Sequence, residues 1–261
     1  MPDEEPVLVR EQHGAVLVLR LNRPDARNAL NPELISELGR GLSDAESDPE
    51  VRAVVLTGTG DRAFCSGMDL RAFAEGSNTP SEEQQKNSAT YGRFTKGDIS
   101  VPIVGAANAT AVAGGFEVLM GCDVVVASSE AKFGLPEVKR GLFAAGGGIA
   151  LGTRIPLAVA LEMLLTGDNV DAQRAYELGL VNQVVAPAEV LEAGISMAER
   201  IARNGPLGLA ATKELARLAV NDMEAAQRKQ AEWQPKVFGS EDAKEGATAF
   251  IEKRDPVWKG R

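Results

Sequence analysis

The chain has 261 residues, with 28 Lys and Arg against 37 Asp and Glu, which gives a formal net charge of -9 at pH 7. Its length and its hydrophobic fraction of 44% indicate one large folded domain, or one domain with a smaller appendage. Nucleic acids and anionic membranes bind basic surfaces, so the acidic balance argues against both as partners.

The counts of histidine and cysteine exclude further kinds of chemistry. The only histidine, His13, lies in a strand-like stretch, which argues against a Ser-His-Asp triad or a Cys-His pair. Cys65 and Cys122 each lie in an apolar run, and no CxxC or HExxH spacing occurs. We therefore expect reduced core thiols and no metal site. The acidic amino terminus is unlike a targeting peptide and no segment is apolar enough to span a bilayer, so a cytoplasmic protein is expected.

The first half of the chain predicts alternating strands and helices. Two β-rich segments, 7–11 and 15–22, predict a hairpin. Asn31 followed by Pro32 predicts the start of a helix that ends near residue 46. Apolar runs predict buried strands at 51–58, 103–107 and 123–128. Helices are predicted at 81–96 and 114–121.

The second half becomes progressively more helical. A glycine-rich turn at 141–148 precedes predicted helices at 156–167, 172–178 and 187–202, with a short strand between the last two. From residue 206 onward, strands disappear and three segments each carry one apolar stripe: 207–219, 223–237 and 240–253. About 60 residues are too few for a large core of their own, so this region is expected to pack on the first domain or on a neighbouring subunit.

Two turns after predicted strands contain small residues that expose the main chain. They are FCSGMD at 64–69 and AGGFE at 113–117, and the second opens a helix. Two backbone N–H groups that converge there would bind a carbonyl oxygen and stabilise negative charge on it. Glycine turns at strand ends are also common structural features, so the turns alone leave both interpretations open. A third segment, GTGDRA at 58–63, imitates a dinucleotide-binding fingerprint, but no helical run follows it.

Two glutamates lie in apolar surroundings. Glu117 stands between Gly-Gly-Phe and Val-Leu-Met, and Glu137 follows Phe-Gly-Leu-Pro. A helix start favours a glutamate for dipole reasons, but burial of a carboxylate costs several kcal/mol unless the group is partnered. If the two lie close together, at least one pKa rises, which would provide a proton donor and an acceptor near neutral pH. The residues alone leave the structural and catalytic interpretations equally open.

Five motifs in order along the chain resemble the crotonase, or enoyl-CoA hydratase/isomerase, superfamily. They are NRPDARNAL at 22–30, AFCSGMDL at 63–70, AVAGGFE at 111–117, AKFGLPEVKRGL at 131–142 and LLTGDNVDAQRAYELGLVNQVV at 164–185. The resemblance implies an α/β fold in which ββα units form a spiral core, here residues 1–200, followed by a helical trimerisation region, residues 201–261. It also implies a homotrimer or a dimer of trimers.

The resemblance implies a site for an acyl-CoA. The backbone N–H groups of Ser66 and Gly114 would form the oxyanion hole, and Glu117 and Glu137 would be the catalytic carboxylates. Two retained carboxylates are typical of a hydratase, which adds water to a trans-2-enoyl-CoA to give a 3-hydroxyacyl-CoA. No cofactor is expected, since coenzyme A belongs to the substrate. The residues expected to contact substrate or CoA are Arg23, Arg27, Ser66, Gly67, Met68, Asp69, Gly114, Phe250 and Lys253.

Three alternatives to a hydratase stay open. Two of them lie within the superfamily: a Δ3,Δ2-enoyl-CoA isomerase and an enzyme of the carnitinyl-CoA dehydratase type. The tail at 240–261 and the FGLPE turn at 133–137 are especially similar to carnitinyl-CoA dehydratases, which we interpret as ancestry because the tail lies away from the acyl pocket. The third is a catalytically silent member that binds other macromolecules, against which the two retained carboxylates argue.

Overall fold

The structure is a computed structural model that describes residues 5–75 and 79–261. The spiral core was predicted to span residues 1–200, and its positions 1–4 and 76–78 lie outside the described residues. The strands are β1 (Leu8–His13), β2 (Val16–Leu21), β3 (Ala53–Gly58), β4 (Ile103–Ala107), β5 (Ala111–Val112), β6 (Val124–Ser128), β7 (Lys132–Gly134), β8 (Val170–Asp171) and β9 (Gln183–Val185).

The helices cover the chain between and after these strands. They are α1 (Pro32–Ser47), α2 (Leu70–Glu75), α3 (Glu82–Lys96), α4 (Gly114–Gly121), α5 (Leu157–Thr166), α6 (Ala172–Glu177), α7 (Val190–Ala202), α8 (Pro206–Asn221), α9 (Met223–Phe238) and α10 (Glu241–Glu252). Short 3-10 turns add Pro24–Ala26, Pro136–Arg140, Gly148–Thr153 and Pro187–Glu189. The helix expected over 187–202 therefore divides into a 3-10 turn and α7.

A six-stranded sheet in the order β1-β2-β3-β4-β6-β9 separates two apolar layers. β1 and β2 form the predicted antiparallel hairpin, and the remaining neighbours are parallel. Alternation along β2 sends Leu17, Leu19 and Leu21 into one layer and Val16 and Val18 into the other. Since side chains of a strand point alternately to opposite faces, both faces of this sheet are covered.

α1 covers the larger layer and begins where the sequence predicts. The Asn31 side chain accepts a hydrogen bond from the N–H of Leu34 at 2.9 Å, and Pro32 occupies the first helical position, where no N–H is needed. Leu34, Leu38 and Leu42 are fully buried on one side of the helix. Local capping and apolar spacing are therefore sufficient to define this element.

A second, smaller sheet collects the turns that follow the main strands. It has the order β5-β7-β8, and two isolated bridges, Leu30 with Met68 and Cys65 with Ala111, continue it. None of these pairings was predicted, because strands of two or three residues carry no periodic signal. The second sheet brings the turn after β3 against the turn before α4.

The carboxy-terminal helices begin with an anchor to the core of the same chain. Lys213 and Arg217 of α8 each form an ion pair of 2.7 Å with Asp123, which also accepts a hydrogen bond from the N–H of Ile103. These groups are largely shielded from water, so removal of one partner would leave an uncompensated charge. The boundary near residue 200 and the oligomerisation role of the helices remain predictions.

No helix in the part of the chain that the structure describes has both the length and the apolar character needed to cross a membrane. The expected cytoplasmic location remains a prediction.

Candidate active site

The start of α4 is set by an unusual backbone conformation at Ala113. Ala113 has φ 52° and ψ -133°, a backbone conformation that residues other than glycine rarely adopt. Its N–H donates to the carbonyl of Gly134 at 2.9 Å. A Cβ atom at Gly115 would lie only 2.1 Å from the carbonyl oxygen of Cys65. The turn before α4 therefore lies directly against the turn after β3, and glycine is required at the contact.

The backbone nitrogens of Met68 and Gly114 lie close to each other. The Met68 peptide is held on both sides by Leu30, whose N–H donates to the Gly67 carbonyl at 2.8 Å and whose carbonyl accepts the Asp69 N–H at 2.9 Å. A Cβ atom built on Gly114 would lie 3.6 Å from the Met68 nitrogen. Within residues 5–75 and 79–261, neither N–H has a hydrogen-bond acceptor.

This placement differs from the sequence-based hypothesis, which assigned the first N–H donor to Ser66. The Ser66 N–H donates to the carbonyl of Arg27 at 3.1 Å, so it is already engaged inside the protein. A backbone N–H without an acceptor among the described residues lies two residues later, at Met68. The role of Gly114 as the second donor remains a prediction. No local signal in the sequence reveals the Arg27 contact, because it joins residues that are far apart in the chain.

Glu117 lies on the first turn of α4 and is buried, with 6% of the residue exposed. Its Oε1 accepts the N–H of Gly148 at 2.8 Å, and its carboxylate also accepts a backbone hydrogen bond from Gly146. Burial raises the pKa of Glu117, and these two hydrogen bonds offset only part of the rise. Glu117 is therefore a buried carboxylate whose ionised form is partly stabilised by a glycine turn.

Glu137 lies in the 3-10 turn Pro136–Arg140 and is half-buried. Its Oε2 is shielded from water and has no hydrogen-bond partner in the described part of the chain. Burial raises the pKa of Glu137, its own N–H lowers it, and the nearby charge of Glu117 raises it further. Glu117 is therefore near enough for its charge to act on Glu137, and the catalytic pairing of the two carboxylates remains a prediction.

The comparisons with known proteins decide the family. A model described as enoyl-CoA hydratase/isomerase matches residues 11–261. This chain belongs to the enoyl-CoA hydratase/isomerase family. The resemblance to crotonases is confirmed, and the chain is an enzyme of the hydratase or dehydratase type.

Similar proteins include both hydratases and dehydratases. A carnitinyl-CoA dehydratase of Proteus mirabilis is 37% identical over 255 residues, which cover 95% of this chain and 96% of that protein. An enoyl-CoA hydratase structure from Mycobacterium tuberculosis has a TM-score of 0.90 and 41% identity, covering 98% and 100% of the two chains. A carnitinyl-CoA hydratase structure from Mycobacterium avium has a TM-score of 0.77 and 41% identity, covering 99% and 100%. These matches confirm the predicted α/β crotonase fold.

Residues expected to bind CoA occupy two distant parts of this enzyme. Asp69 directly follows Met68, and it forms an ion pair of 2.9 Å with Arg23. The Arg27 side chain is exposed on the same loop. Phe250, with 86% of the residue exposed, and Lys253 lie at the end of α10. The CoA-binding role of all these residues remains a prediction.

The sequence hypothesis missed residues that support the site. Gly146 and Gly148 surround the Glu117 carboxylate, and three consecutive glycines at 146–148 were the signal available for them. Asn28 is fully buried and its amide donates to the carbonyls of Thr59 and Ala63, which ties the loop at 22–30 to the loop after β3. Asn28 therefore holds the loop at 22–30 against the loop that leads to Met68.

Tyr91 of α3 is a further titratable side chain close to Glu117. Burial raises the pKa of Tyr91, and the nearby charge of Glu117 raises it further. In the described part of the chain, no group of three His, Cys, Asp or Glu side chains is arranged to hold a metal ion. The expectation that the reaction needs neither metal nor cofactor remains a prediction.

Proposed function

We propose that this enzyme is an enoyl-CoA hydratase, which reversibly adds water to a trans-2-enoyl-CoA. The observation that carries the proposal is the Glu117 and Glu137 pair. One carboxylate has backbone donors, and the other has an oxygen with no partner among the described residues. A family member that only stabilised an enolate would not require two such groups. The acceptor and donor of a proton are thereby present together.

The oxyanion hole is assigned to the N–H groups of Met68 and Gly114. The thioester carbonyl oxygen of the substrate would accept both hydrogen bonds, which strengthen as negative charge develops on that oxygen in the transition state. The strained Ala113 conformation supports this assignment because it directs the start of α4 toward Met68. The sequence-based choice of Ser66 is replaced, since its N–H is used by Arg27.

The proton transfers are assigned from the environments of the carboxylates. Glu117 and Glu137 would hold the attacking water between them. Glu117, whose anion has backbone partners, removes a proton as the water oxygen bonds to C3. Glu137, whose protonated form is favoured by burial and by the charge of Glu117, delivers a proton to C2. In the reverse dehydration each step runs backwards: Glu137 removes the proton from C2, and Glu117 returns its proton to the hydroxyl group that leaves C3 as water.

The active oligomer is proposed to be a trimer or a dimer of trimers. Phe250 and Ile251 of α10 are 86% and 78% exposed in the single chain, which supports their burial by another copy. In that arrangement Phe250 and Lys253 would contact the CoA of a neighbouring subunit, where Lys253 and Arg27 would provide cations for its phosphates. A monomer mass from light scattering would contradict the oligomer.

Incubation with crotonyl-CoA and longer trans-2-enoyl-CoAs tests the reaction directly. Loss of the absorbance of the conjugated thioester, with formation of a 3-hydroxyacyl-CoA, is the expected result. No turnover at any chain length would overturn the hydratase proposal.

Carnitinyl-CoA dehydration is the second candidate, because relatives of 37% identity and a solved structure of 41% identity carry carnitinyl-CoA names. Its substrate carries a quaternary ammonium group, which proteins recognise with aromatic faces and negative charge. Competition between crotonyl-CoA and its trimethylammonium analogue separates the two functions. A kcat/KM at least about tenfold higher for the cationic substrate, about 1.4 kcal/mol of discrimination, would assign the dehydratase function.

A further inference from the structure

The loop that carries Met68 is fixed by an ion pair that the reaction itself does not use. Arg23 extends from the loop at 22–30, and its two terminal nitrogens are both engaged: one donates to the Ala29 carbonyl and the other to Asp69 Oδ2 at 2.9 Å. The side chains of Arg23 and Asp69 are 20% and 15% exposed. At this burial, an Arg–carboxylate pair is screened less by solvent than a surface pair.

Asp69 also organises the backbone on both sides of itself. Its Oδ1 accepts the N–H groups of Arg71 and Ala72 at 3.2 and 3.4 Å, and its own N–H donates to the Leu30 carbonyl at 2.9 Å. The Met68 peptide lies immediately before these contacts, and Leu30 holds its other side through Gly67. The direction of the Met68 N–H is therefore determined by Asp69 and Leu30 together.

We propose that Arg23 and Asp69 are positioning residues, whose ion pair holds the Met68 N–H in line with the Gly114 N–H. This proposal rests on the proposed function of the site. It reassigns two residues that the sequence hypothesis placed among the CoA contacts. Arg23 has little capacity left for a phosphate, and the carboxylate of Asp69 would repel one.

The protonation state of Asp69 supports a permanent pair. Burial raises the pKa of Asp69, but hydrogen bonds from Arg23 and from the Ala72 N–H outweigh it and leave the pKa below its ordinary value. Asp69 therefore remains ionised, and the pair intact, over the pH range in which the two catalytic carboxylates change protonation.

A double-mutant cycle on the full-length enzyme tests the proposal. Asp69→Ala and Arg23→Met should each lower kcat for crotonyl-CoA by about tenfold, less than the 10²–10³ that loss of a whole oxyanion-hole donor costs. The kcat of the double variant should lie within about twofold of that of each single variant, because the two side chains act as one unit. KM should change by less than about twofold in all three.

The carbonyl stretch of bound butyryl-CoA, labelled with carbon-13 at the thioester, provides a readout that a purely structural role would not move. Hydrogen bonds lower this frequency, so difference infrared spectra should show a smaller downshift in the variants than in the wild type. Asp61→Ala is the matched control, because Asp61 is an exposed aspartate of the preceding loop that forms no ion pair with the described residues. It should preserve kcat and the frequency.

The outcomes separate this inference from the proposed function. If the wild type does not hydrate any enoyl-CoA, the proposed function fails and the infrared shift still tests the positioning role. A raised KM with wild-type kcat and frequency would return Arg23 and Asp69 to CoA binding and overturn the inference. If the loss of kcat in the double variant equals the product of the two single losses, the side chains act independently and the inference is also overturned. If Asp69→Ala does not fold, Asp69→Asn, which keeps an acceptor for Arg71 and Ala72, replaces it in the cycle.

Discussion

The two halves of the candidate active site hold the same kind of side chain in different ways. On α4, Glu117 is buried and its carboxylate accepts hydrogen bonds from the glycine turn at 146–148. On the 3-10 turn Pro136–Arg140, Glu137 is half-buried and its Oε2 has no partner among the described residues. Burial raises the pKa of both groups, but only Glu117 has backbone donors from another segment that favour its anion.

Both residues are glutamates, so the roles of base and acid are assigned from their different environments and not from residue type. A carboxylate with donors stays available as a base, while an unpartnered one beside another negative charge retains a proton and can give it away. Hydration needs one proton acceptor and one proton donor, and dehydration needs the same two groups with their roles exchanged. Substitutions that act on one half alone should therefore have distinguishable consequences.

Removal of either carboxylate should have the largest effect. Glu117→Gln and Glu137→Gln should each lower kcat for crotonyl-CoA hydration by about 10²-fold or more, the scale of general acid–base catalysis. Stopped assays at saturating substrate would measure the change. Glu162→Gln, on the exposed surface of α5, is the matched control and should keep wild-type kcat. A near-wild-type rate in either pocket variant would remove that residue from the mechanism.

Substitution in the glycine turn should affect the Glu117 half alone. A Cβ atom at Gly146 would lie 2.4 Å from Glu117 Oε2, and one at Gly148 would lie 2.3 Å from the Ala144 Cβ. Gly146→Ala should therefore displace the carboxylate and lower kcat by about tenfold, because catalysis is sensitive to small misplacements. Kinetics combined with thermal unfolding would separate a moved carboxylate from a misfolded turn.

Gly92→Ala is the control for this effect. Apart from the backbone of its own helix, a Cβ atom there meets no atom of the described residues within 4 Å. Gly92 lies inside α3, where alanine favours the helix by about 1 kcal/mol. It should keep wild-type kcat and unfold at a slightly higher temperature. If Gly146→Ala behaves in the same way, the glycine turn does not position Glu117.

The sequence predicts those parts of the fold whose cause is local. Asn31, Pro32 and the apolar spacing of α1 define that helix without help from the rest of the chain. The small sheet β5-β7-β8 was not predicted, because each of its strands has two or three residues and exists only through partners from other segments. Helix α2 was also not predicted, because its six residues are too few for a periodic pattern. Asp69 caps its first turn by accepting the N–H of Ala72.

The site divides in the same way. A charge inside an apolar run is an unusual local pattern, so the sequence drew attention to the two glutamates. Their catalytic role came from the resemblance to crotonases and remains a prediction. The N–H donor at Met68 was not predicted, because the choice between Ser66 and Met68 depends on whether the Arg27 carbonyl reaches the turn. Hydrogen bonds between distant segments, which no spacing encodes, decide which backbone groups remain free.

The stability of the two carboxylate variants should differ in direction. A carboxyl group whose pKa is raised by folding binds protons more tightly in the native state, so the stability it contributes falls as pH rises above its ordinary value of 4.5. Glu137→Gln removes this penalty and should raise the free energy of unfolding at pH 8 by up to about 1 kcal/mol, with little change at pH 4. Urea unfolding at both pH values measures the difference.

Glu117→Gln should not show the same gain, because glutamine replaces one of the two carboxylate oxygens with an NH2 group that cannot accept a hydrogen bond. Its neutral amide therefore accepts the N–H groups of Gly146 and Gly148 less well than the carboxylate does. The free energy of unfolding at pH 8 should therefore stay at or below the wild-type value. Equal stabilisation by both variants would show that the glycine turn contributes nothing to the Glu117 anion, and the contrast between the two halves would be lost.

The smallest effect is expected from a cation at the edge of the Glu137 half. Arg140 is exposed, and its positive charge lowers the pKa of Glu137 against the larger effect of burial. Arg140→Gln should raise that pKa further, so the basic limb of the kcat/KM profile for hydration moves to higher pH, while kcat at the optimum changes by less than about twofold. The shift should shrink in high salt, because exposed charges are screened. Arg174→Gln, at an exposed position of α6, should leave the profile unchanged. A shift toward lower pH would mean that Glu137 is not the group that must be protonated, and the acid would have to be sought at Glu117.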